Sequence, residues 1–415
     1  MKNIRTFLVT LAIAGLSVCI VKAQDAYLGG HAYDANCNCE RAVVWKNGTP
    51  TYYTTESGDI LSVVVDKGNV YVLGRNNISG WEYNIVWKNG IEIYRLDDGG
   101  AFAIAVSDGD IYAVGTKIES DTLVGRVWKN GTIQTGYTEA RIFSSVFIDD
   151  DKNVYIGGYG KVEGIPSPII WKNGTPLYTL TEDSNIQAVV VSDGDVYAAG
   201  LKGAPGMYIP VVWKNNDLLY TLGIGSPIYF NMDICISNGN IYVAGRNQDG
   251  RATLWKNGGA ENGGQTISPC GDQVSSAYSV FVSGSKVYVA GTQENLFNGF
   301  RYAFIWINGQ VTTFAAGSGA NSVFVAPAGA GIAEAEDKST VQVYPNPTSG
   351  ILRIESGELR VKNVELFDVY GKEILSFVSF MFPETVINIS HLPVGVYFAK
   401  ITTETGEVIK KVLKE

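Results

Sequence analysis

Seven tryptophans recur at nearly equal distances along this chain of 415 residues, and an asparagine follows each of them two positions later. They are Trp45, Trp87, Trp128, Trp171, Trp213, Trp255 and Trp306, with spacings of 42, 41, 43, 42, 42 and 51 residues. Glycine usually comes next, as in Trp87-Lys88-Asn89-Gly90, and Asn-Gly between two apolar runs is the strongest short signal for a β-hairpin. A period near 42 residues with such turns predicts a repeated unit of short strands.

Each repeat contains four predicted strands. The first is a small residue followed by three mostly apolar ones, such as Ser62–Val65 or Ser279–Val282, and this run suits a strand buried on both faces. The second carries Tyr-x-x-Gly, and the third ends in the repeated tryptophan, which we expect in the core between units. The second strands begin at Tyr27, Tyr71, Tyr112, Tyr155, Tyr197, Tyr242 and Tyr288.

The two ends of the repeat region complement each other. The first copy opens with a second strand, Ala26–Gly30, and the last copy stops after a first strand, Ser322–Val325. We expect the two fragments to share one blade, which closes a seven-bladed β-propeller and leaves no open sheet edge. The chain is therefore predicted to be all-β, with the propeller over residues 24–326.

Residues 1–23 have the pattern of a signal peptide, with a charged start, an apolar run and a small-residue cleavage site. No other stretch is long and apolar enough to span a membrane. The net charge is −9 without a basic cluster, which argues against nucleic acid as a partner. We expect a monomeric, exported protein.

Four cysteines remain after cleavage: Cys37, Cys39, Cys235 and Cys270. They allow three pairings, which sequence alone does not choose between. A bond between Cys37 and Cys39 is expected to be strained, and no histidine or cysteine cluster accompanies them as metal ligands. The sequence therefore predicts neither a metal nor a cofactor, and Cys235, at an apolar repeat position, is predicted to be a buried thiol.

The composition changes after the repeats. Residues 327–340 are rich in Ala, Gly and acidic residues and are predicted to be a linker. Residues 341–415 then alternate short β-runs with Gly and Pro turns, which predicts a small Ig-like β-sandwich. This segment contains Tyr344-Pro345-Asn346-Pro347, Gly371-Lys372, Leu392-Pro-Val-Gly-Val-Tyr397 and a basic end.

These motifs, in this order and at the end of the chain, resemble the type A C-terminal sorting domain of the type IX secretion system. The resemblance implies that residues 341–415 engage that machinery, and that the protein is released or displayed at the surface of a Gram-negative bacterium. It implies nothing about the propeller, because cargos of this system range from proteases to adhesins.

The propeller carries one histidine, His31, and no nucleophile or phosphate-binding motif in a suitable context. We therefore predict a binding protein for a glycan or a protein. A carbohydrate-active or lactone-type enzyme is the alternative, and a structural surface-layer component is a third interpretation. The predicted functional face holds long, irregular loops between second and third strands, opposite a face of minimal hairpins. These loops are His31–Arg41, Arg75–Asn84, Thr116–Gly125, Tyr159–Ser167, Leu201–Ile209 and Thr292–Arg301.

Eight tryptophans are present, and Trp81 is the one outside the repeat. With Tyr83 it offers an aromatic plane for ligand recognition. Asp233 replaces the small residue that starts the other first strands, so we expect its carboxylate near the channel mouth. The equivalent loops of other blades contribute the remaining predicted contact residues, Tyr159, Tyr208, Phe297 and Arg301.

Overall fold

The computed structural model describes residues 24–54, 56–78, 81–137, 140–180, 184–203, 207–224, 231–327, 341–355, 361–368, 373–378, 384–403 and 407–415. The predicted signal peptide and residues 328–340 of the predicted linker lie outside these ranges. The chain divides into two compact units, Met1–Ile332 and Ala333–Glu415. In the part that is described, no helix has the length and apolar character needed to cross a membrane.

The described residues of the first unit form seven four-stranded antiparallel sheets, numbered here as blades 1 to 7. Blade 1 contains β1 (Gln24–Asp34), β2 (Cys39–Lys46) and β3 (Thr49–Tyr52), and blade 2 contains β4 (Gly58–Asp66), β5 (Asn69–Ile78), β6 (Trp81–Lys88) and β7 (Ile91–Leu96). Blade 3 contains β8 (Gly100–Ser107), β9 (Asp110–Glu119), β10 (Thr122–Lys129) and β11 (Thr132–Ile133). Blade 4 contains β12 (Ala140–Ile148), β13 (Val154–Val162), β14 (Ile165–Lys172) and β15 (Thr175–Thr179).

The remaining blades continue the same order. Blade 5 contains β16 (Ser184–Ser192), β17 (Asp195–Lys202), β18 (Ile209–Lys214) and β19 (Asp217–Thr221). Blade 6 contains β20 (Asp233–Ser237), β21 (Asn240–Arg246), β22 (Ala252–Lys256) and β23 (Gln265–Ile267), with a short 3-10 helix at Ala260–Asn262. Blade 7 contains β24 (Ser275–Ser283), β25 (Lys286–Glu294), β26 (Arg301–Ile307) and β27 (Gln310–Ala316), and β28 (Ser318–Pro327) returns to blade 1.

Blade 1 is shared between the two ends of the propeller, as predicted. Strand β28 pairs with β1 from Gln24 opposite Pro327 to Ala32 opposite Ser318. Each inner strand contacts the inner strand of the next blade, and β28 in turn contacts β4. The seven-bladed ring is therefore closed, and each blade packs between two neighbours, while the inner and outer edges of the blades stay unpaired.

The repeated tryptophans form the core between blades, which confirms the prediction; all seven are at most 7% exposed. The glycine of Tyr-x-x-Gly makes room for the paired first strand: a Cβ at Gly74 would lie 2.5 Å from the Asp59 carbonyl oxygen, and a Cβ at Gly158 would lie 2.2 Å from the Ile142 carbonyl oxygen. The glycine of the second-strand motif is thus required by the close approach of the first-strand backbone.

The prediction that the first strands are buried on both faces is wrong. In blade 2, Val64 and Val65 of β4 are half-buried, whereas Val72 and Leu73 of β5 are fully buried. The reason is that an inner strand pairs with only one other strand, so that its second edge borders the axis of the ring.

A side-chain clamp explains why asparagine recurs after each tryptophan. In blade 4, Asn173 has a φ of 50° and Gly174 a φ of 85°, as a two-residue hairpin turn of this type requires. Asn173 Oδ1 accepts a hydrogen bond from the Val154 backbone N–H at 2.8 Å, and its Nδ2 donates to Asn153 Oδ1 at 2.9 Å. The same backbone bond occurs in every blade, at Asn47, Asn89, Asn130, Asn173, Asn215, Asn257 and Asn308. Asparagine combines tolerance of positive φ with a side-chain acceptor.

The second unit is a small β-sandwich. One sheet contains β29 (Gln342–Tyr344), β30 (Ile351–Glu355) and β33 (Glu384–Asn388). The other contains β31 (Val361–Phe367), β32 (Glu373–Val378), β34 (Gly395–Thr403) and β35 (Glu407–Lys414). Leu352 and Ile354 from the first sheet share a buried core with Leu366 and Ile401 from the second.

Candidate functional site

The propeller has two different faces. The turn face carries the hairpins from first to second and from third to fourth strands, and the loop face carries the connections from second to third strands and from fourth strands to the next blade. Two connections of the turn face are longer than two residues: Asp149–Asn153 in blade 4 and, the longest, Asn257–Gly264 in blade 6. This insertion, with the connection that follows it, accounts for the 51-residue tryptophan spacing.

The prediction of irregular loops on the loop face is wrong for most blades. The second and third strands continue as paired hairpins beyond the body of the blade. In blade 3, pairing extends from Thr116 opposite Gly125 to Glu119 opposite Thr122, and Ser120 and Asp121 form the turn with positive φ. Alternating β-formers and a turn pair allow the ladder to continue, so these segments hold their side chains on defined strands.

Large apolar side chains are exposed on the loop face. Ile118 is 69% exposed, Ile165 66% and Phe297 102%. Among the described residues, the exposed large apolar side chains at or beside the ends of these hairpins are Tyr33, Ile118, Leu123, Ile165, Met207, Leu296, Phe297 and Phe300. The fourth strands expose apolar residues too, such as Ile91 at 67%, but the loop-face set includes the fully exposed Phe297 beside Leu296, and exposed apolar groups of this kind indicate an interaction surface.

A charged and polar cluster lies on the same face, at the junction of blades 1 and 2. Asp59 is its centre: its two oxygens accept hydrogen bonds from Asn321 Nδ2 at 2.9 and 3.0 Å, and His31 Nδ1 lies 3.2 Å from Oδ1. The Arg75 guanidinium lies 3.7 Å from both Asp59 and Glu82. We call His31, Glu40, Asp59, Arg75, Glu82 and Asn321 the Asp59 cluster.

Strand bulges help to place this cluster. Asn321 is the unpaired extra residue in β28, and its Nδ2 also donates to the Ile60 carbonyl oxygen at 2.9 Å. The equivalent residue of blade 4, Ser144, likewise donates to Ile186 of the next blade at 2.6 Å. The bulge residue therefore fastens neighbouring blades, and in blade 1 it also orients the Asp59 carboxylate.

His31 is held in an environment that favours its charged form. Burial opposes protonation, but the hydrogen bond to Asp59 and the negative charges of Asp59 and Glu40 outweigh it, and the pKa of His31 is raised. Arg301 of blade 7 opposes protonation by its own charge. Glu40 and Glu82 are 59% and 58% exposed, so one side of the Asp59 cluster is open to a ligand.

Cys37 and Cys39 form a disulfide at the end of the blade 1 hairpin, a pairing that the sequence left open. Cys235 and Cys270 are free and pack against the core between blades 6 and 7. Burial raises the pKa of each of these thiols to about 11, so both are protonated at neutral pH.

The predicted contact residues come from different blades. The Trp81 backbone lies on β6 opposite Ile78, at the end of the blade 2 hairpin, and its side chain is outside the described set. Tyr83 is half-buried with Arg95 over its ring at 4.8 Å, and Arg301 faces His31 across the junction of blades 7 and 1. Phe297 is fully exposed, Tyr159 is half-buried on β13, and Tyr208 packs against the core between blades 5 and 6.

Asp233 serves as a link between blades. Its Oδ2 accepts hydrogen bonds from the Ser279 hydroxyl and the Val280 N–H, both at 2.9 Å, and Oδ1 accepts from the Ile234 N–H. Ser145 accepts from the next blade in the same way, from Val189. The residue is half-buried, but its carboxylate is enclosed, and this desolvation raises its pKa despite the three hydrogen bonds.

Sequence reasoning did not select Asp59, Arg75 or Asn321. Asp59 lies next to Ile60 at the start of an inner strand, and Asn321 is separated from it by 262 residues. The available signal was that Asn321 precedes the regular Ser-Val-Phe-Val run as an extra polar residue.

The second unit explains its own sequence motifs. Asn346 of the Tyr-Pro-Asn-Pro segment donates from Nδ2 to the Lys411 carbonyl oxygen at 2.7 Å and accepts from the Leu413 N–H at 2.8 Å. The motif thus fixes the start of this unit to the basic C-terminal strand. Residues 342–415 match the family described as Secretion system C-terminal sorting domain.

Residues 342–415 are a type A sorting domain of the type IX secretion system. The sorting domain implies interaction with that machinery and secretion across the outer membrane of a Gram-negative bacterium. The chain is thus an exported β-propeller protein that carries its sorting domain at the C-terminus.

No curated protein matches the sequence. Among solved structures, a prolyl endopeptidase is 11% identical, with a TM-score of 0.41, over 85% of this chain and 55% of that chain. The β-propeller domain of the Trilobed protease from Pyrococcus furiosus is 11% identical, with a TM-score of 0.40, over 84% of this chain and 96% of that one. The SapL1 lectin is 12% identical, with a TM-score of 0.29, over 68% of this chain and 99% of that one. At these values the likeness carries no information about function.

Proposed function

We propose that the propeller is a binding protein that acts outside the cell, and that its loop face is the binding surface. The observation that carries this proposal is the set of exposed large apolar residues at the ends of loop-face hairpins. A signal peptide at residues 1–23, followed by type IX export and removal of the sorting domain, would bring this face into contact with extracellular partners. Release into the medium or display at the cell surface fits the proposal equally.

The chemistry of the loop face favours a protein ligand over a glycan. Ile118, Ile165 and Met207 are aliphatic and are each about two-thirds exposed. Aliphatic side chains suit a desolvated protein interface, and the exposed Tyr33, Phe297 and Phe300 of the same face are of the aromatic type that is enriched in protein interfaces. The Asp59 cluster, with Arg301 nearby, adds polar and charged groups at the edge of this surface, where they contribute to partner selection.

Trp81, Tyr83, Phe297 and Arg301 all belong to hairpins of this face and remain the proposed contact residues. Tyr159, Tyr208 and Asp233 complete the set proposed from sequence, although Tyr208 packs against the core and Asp233 already has partners in the next blade. We expect larger binding defects from the first four than from these three.

A matched pair of variants tests the proposal. Ile118 on the loop face is 69% exposed, and Ile91 at the turn-face end of β7 is 67% exposed. The exported full chain is screened against purified extracellular proteins and a glycan array. Ile118→Ser combined with Ile165→Ser should abolish binding of the identified ligand, whereas Ile91→Ser should not, with melting temperatures unchanged. Equal effects of the two changes would disprove a loop-face site.

A further inference from the structure

A cleft of about 250 Å³ lies between the outer parts of blades 5 and 6, away from the Asp59 cluster. Pro210 of β18 and Leu222, Gly223 and Ile224 after β19 form its wall on blade 5. The wall on blade 6 comes from Arg246–Gln248, from Trp255, from Ala260 and Glu261 of the turn-face insertion, and from Thr266 of β23. The cleft exists where blade 6 departs from the repeat, because the insertion after β22 packs against β19, with the Gly259 N–H donating to the Thr221 carbonyl oxygen at 3.2 Å.

Arg246 is an uncompensated cation in this cleft. Its Nε is buried without a hydrogen-bond partner, and no carboxylate of the described residues forms an ion pair with its guanidinium. A buried donor without an acceptor costs about 1–3 kcal/mol, and more for a charged group. A ligand that supplies the missing acceptor would recover this free energy.

An internal comparison shows that the lack of a nearby carboxylate is specific to blade 6, although the Nε of Arg75 is likewise buried without a hydrogen-bond partner. Arg75 occupies the same repeat position as Arg246, directly after the glycine of Tyr-x-x-Gly. The guanidinium of Arg75 has Asp59 and Glu82 within 3.7 Å, both from its own blade. In blade 6 the inner strand begins only at Asp233, and the carboxylate of that residue is bonded to blade 7.

The loop after Arg246 is rigid enough to hold the guanidinium in place. Asn247 Oδ1 accepts hydrogen bonds from the backbone N–H groups of Asp249 and Arg251, both at 3.0 Å. Gly250, with a φ of 76°, lies directly against the guanidinium, and a Cβ there would be 2.8 Å from its terminal nitrogen. The loop on which the guanidinium lies is therefore ordered before any ligand arrives, which reduces the entropy cost of binding.

The other residues that line the cleft restrict the chemical class of the ligand. Pro210, Leu222 and Ile224 offer an apolar wall, and Trp255 is only 2% exposed, so its ring is packing and not a stacking plane for a sugar. Glu261 is exposed at the rim and accepts a hydrogen bond from the Thr221 hydroxyl at 2.9 Å, so a second negative charge on the ligand would be repelled. Guanidinium groups match carboxylates through two parallel hydrogen bonds.

We propose that this cleft binds a carboxylate carried on an apolar body, with Arg246 as the group that holds the carboxylate. The cleft is smaller than a typical site for drug-sized ligands, so it takes a small acid or the last residue of a peptide chain. The site lies on the loop-face side of blades 5 and 6, apart from Ile118 and Ile165 in blades 3 and 4, and does not depend on those two residues.

The test uses the full-length protein and measures affinities by titration calorimetry. Phenylacetate is compared with phenylacetamide, which keeps the apolar body and removes the charge, and with inorganic phosphate, which keeps only the charge. A tripeptide that ends in phenylalanine, with a free or an amidated C-terminus, distinguishes a peptide end from a free acid. We expect the acids to bind at least about tenfold more tightly than their amides and than phosphate.

Variants assign the binding to Arg246. Arg246→Gln should weaken phenylacetate binding by about tenfold or more. Arg246→Lys should retain part of the affinity, because lysine keeps the positive charge but lacks the two parallel N–H donors of the guanidinium. Arg251→Gln changes the net charge equally and is the control, since Arg251 is paired with Asp272 at 2.7 Å. Glu261→Gln should leave the affinity unchanged or raise it.

Four results would overturn the proposal. Three of them are acid and amide binding alike, Arg246→Gln retaining full affinity at an unchanged melting temperature, and Glu261→Gln weakening the binding of the acid. Phosphate binding as tightly as phenylacetate would also overturn it, because the apolar wall would then contribute nothing. The loop-face variants Ile118→Ser and Ile165→Ser leave this site intact, so its failure and the failure of the loop-face proposal are separate results.

Discussion

Blade 4 carries the same backbone turn at both of its ends, and the two ends differ in what their side chains do. On the turn face, Asn173 and Gly174 have φ angles of 50° and 85°; on the loop face, Glu163 and Gly164 have 52° and 82°. Asn173 is bonded to the backbone and to the side chain of the neighbouring hairpin, whereas Glu163 is exposed. The turn face is thus fixed by folding, and the loop face is free to carry function.

The largest expected effect concerns the core that both faces share. Trp171 is 1% exposed and contacts Phe143 with a ring separation of 5.0 Å. Trp171→Ala should lower the free energy of unfolding by about 3–5 kcal/mol, because it removes a large buried side chain and leaves a cavity. Denaturant unfolding measures this value, and a loss below about 1 kcal/mol would contradict an inter-blade core role.

The second prediction compares the turn-face turn of blade 4, at Asn173, with its loop-face turn, at Glu163. Asn173→Ala should cost about 1–3 kcal/mol, since the Val154 N–H loses its acceptor and alanine tolerates positive φ poorly. Glu163→Ala is the matched change on the loop face and should stay within about 0.5 kcal/mol. Similar losses for both variants would show that the faces do not differ as described.

Asp233 tests whether a side chain near the loop face serves folding or binding. It was predicted to contact ligand, and in the structure it accepts hydrogen bonds from the next blade. Asp233→Ala should cost about 1–2 kcal/mol, since Ser279 and Val280 lose their acceptor, whereas Asp233→Ser should restore the link that Ser145 makes. Thermal melting of the two variants checks this order.

The pH dependence of Asp233 has a defined sign. Burial raises its pKa, so the charged carboxylate lowers folding stability at neutral pH, and this penalty disappears as the pH falls through the folded-state pKa. The stability of Asp233→Ser relative to the natural protein should therefore be highest at neutral pH and decrease in acid. A ligand-binding defect of Asp233→Ser at unchanged stability would instead support the contact predicted from sequence.

The smallest effect concerns His31 in the Asp59 cluster. Because the folded-state pKa is raised above 6.5, His31 stabilises the fold fully below that pH, and the stabilisation is lost as the pH rises through the folded-state pKa. The melting difference between the natural protein and His31→Gln should be larger near about pH 5.5 than near about pH 8.5. His391→Gln, at an exposed histidine of the sorting domain, is the matched control substitution.

Repeat periodicity was sufficient to predict the propeller because every blade packs against the next one through residues at equivalent positions. Trp171 must fill the space between blades, Gly158 must leave room for the backbone of the first strand, and Asn173 must hold the turn, so these residue types return at fixed spacing. The contact residues of the loop face were less predictable from the sequence. Phe297 and Arg301 were correctly assigned to the loop face from loop position, but no repeat rule separates a ligand contact from Asp233, whose polar side chain holds two blades together.

The sequence by itself determined the blade number, the shared closing blade and the sorting domain, because each depends on spacing or on a contiguous motif. The tertiary structure alone decided the Asp59 cluster, the Cys37–Cys39 bond and the cleft at Arg246. His31, Asp59 and Asn321 meet only because β28 returns to β1 and lies beside β4. Arg75 and Arg246 have the same sequence context, and only the fold around them supplies two carboxylates to one and none of the described carboxylates to the other. Charge pairing depends on distances across the ring, which the order of residues along the chain does not contain.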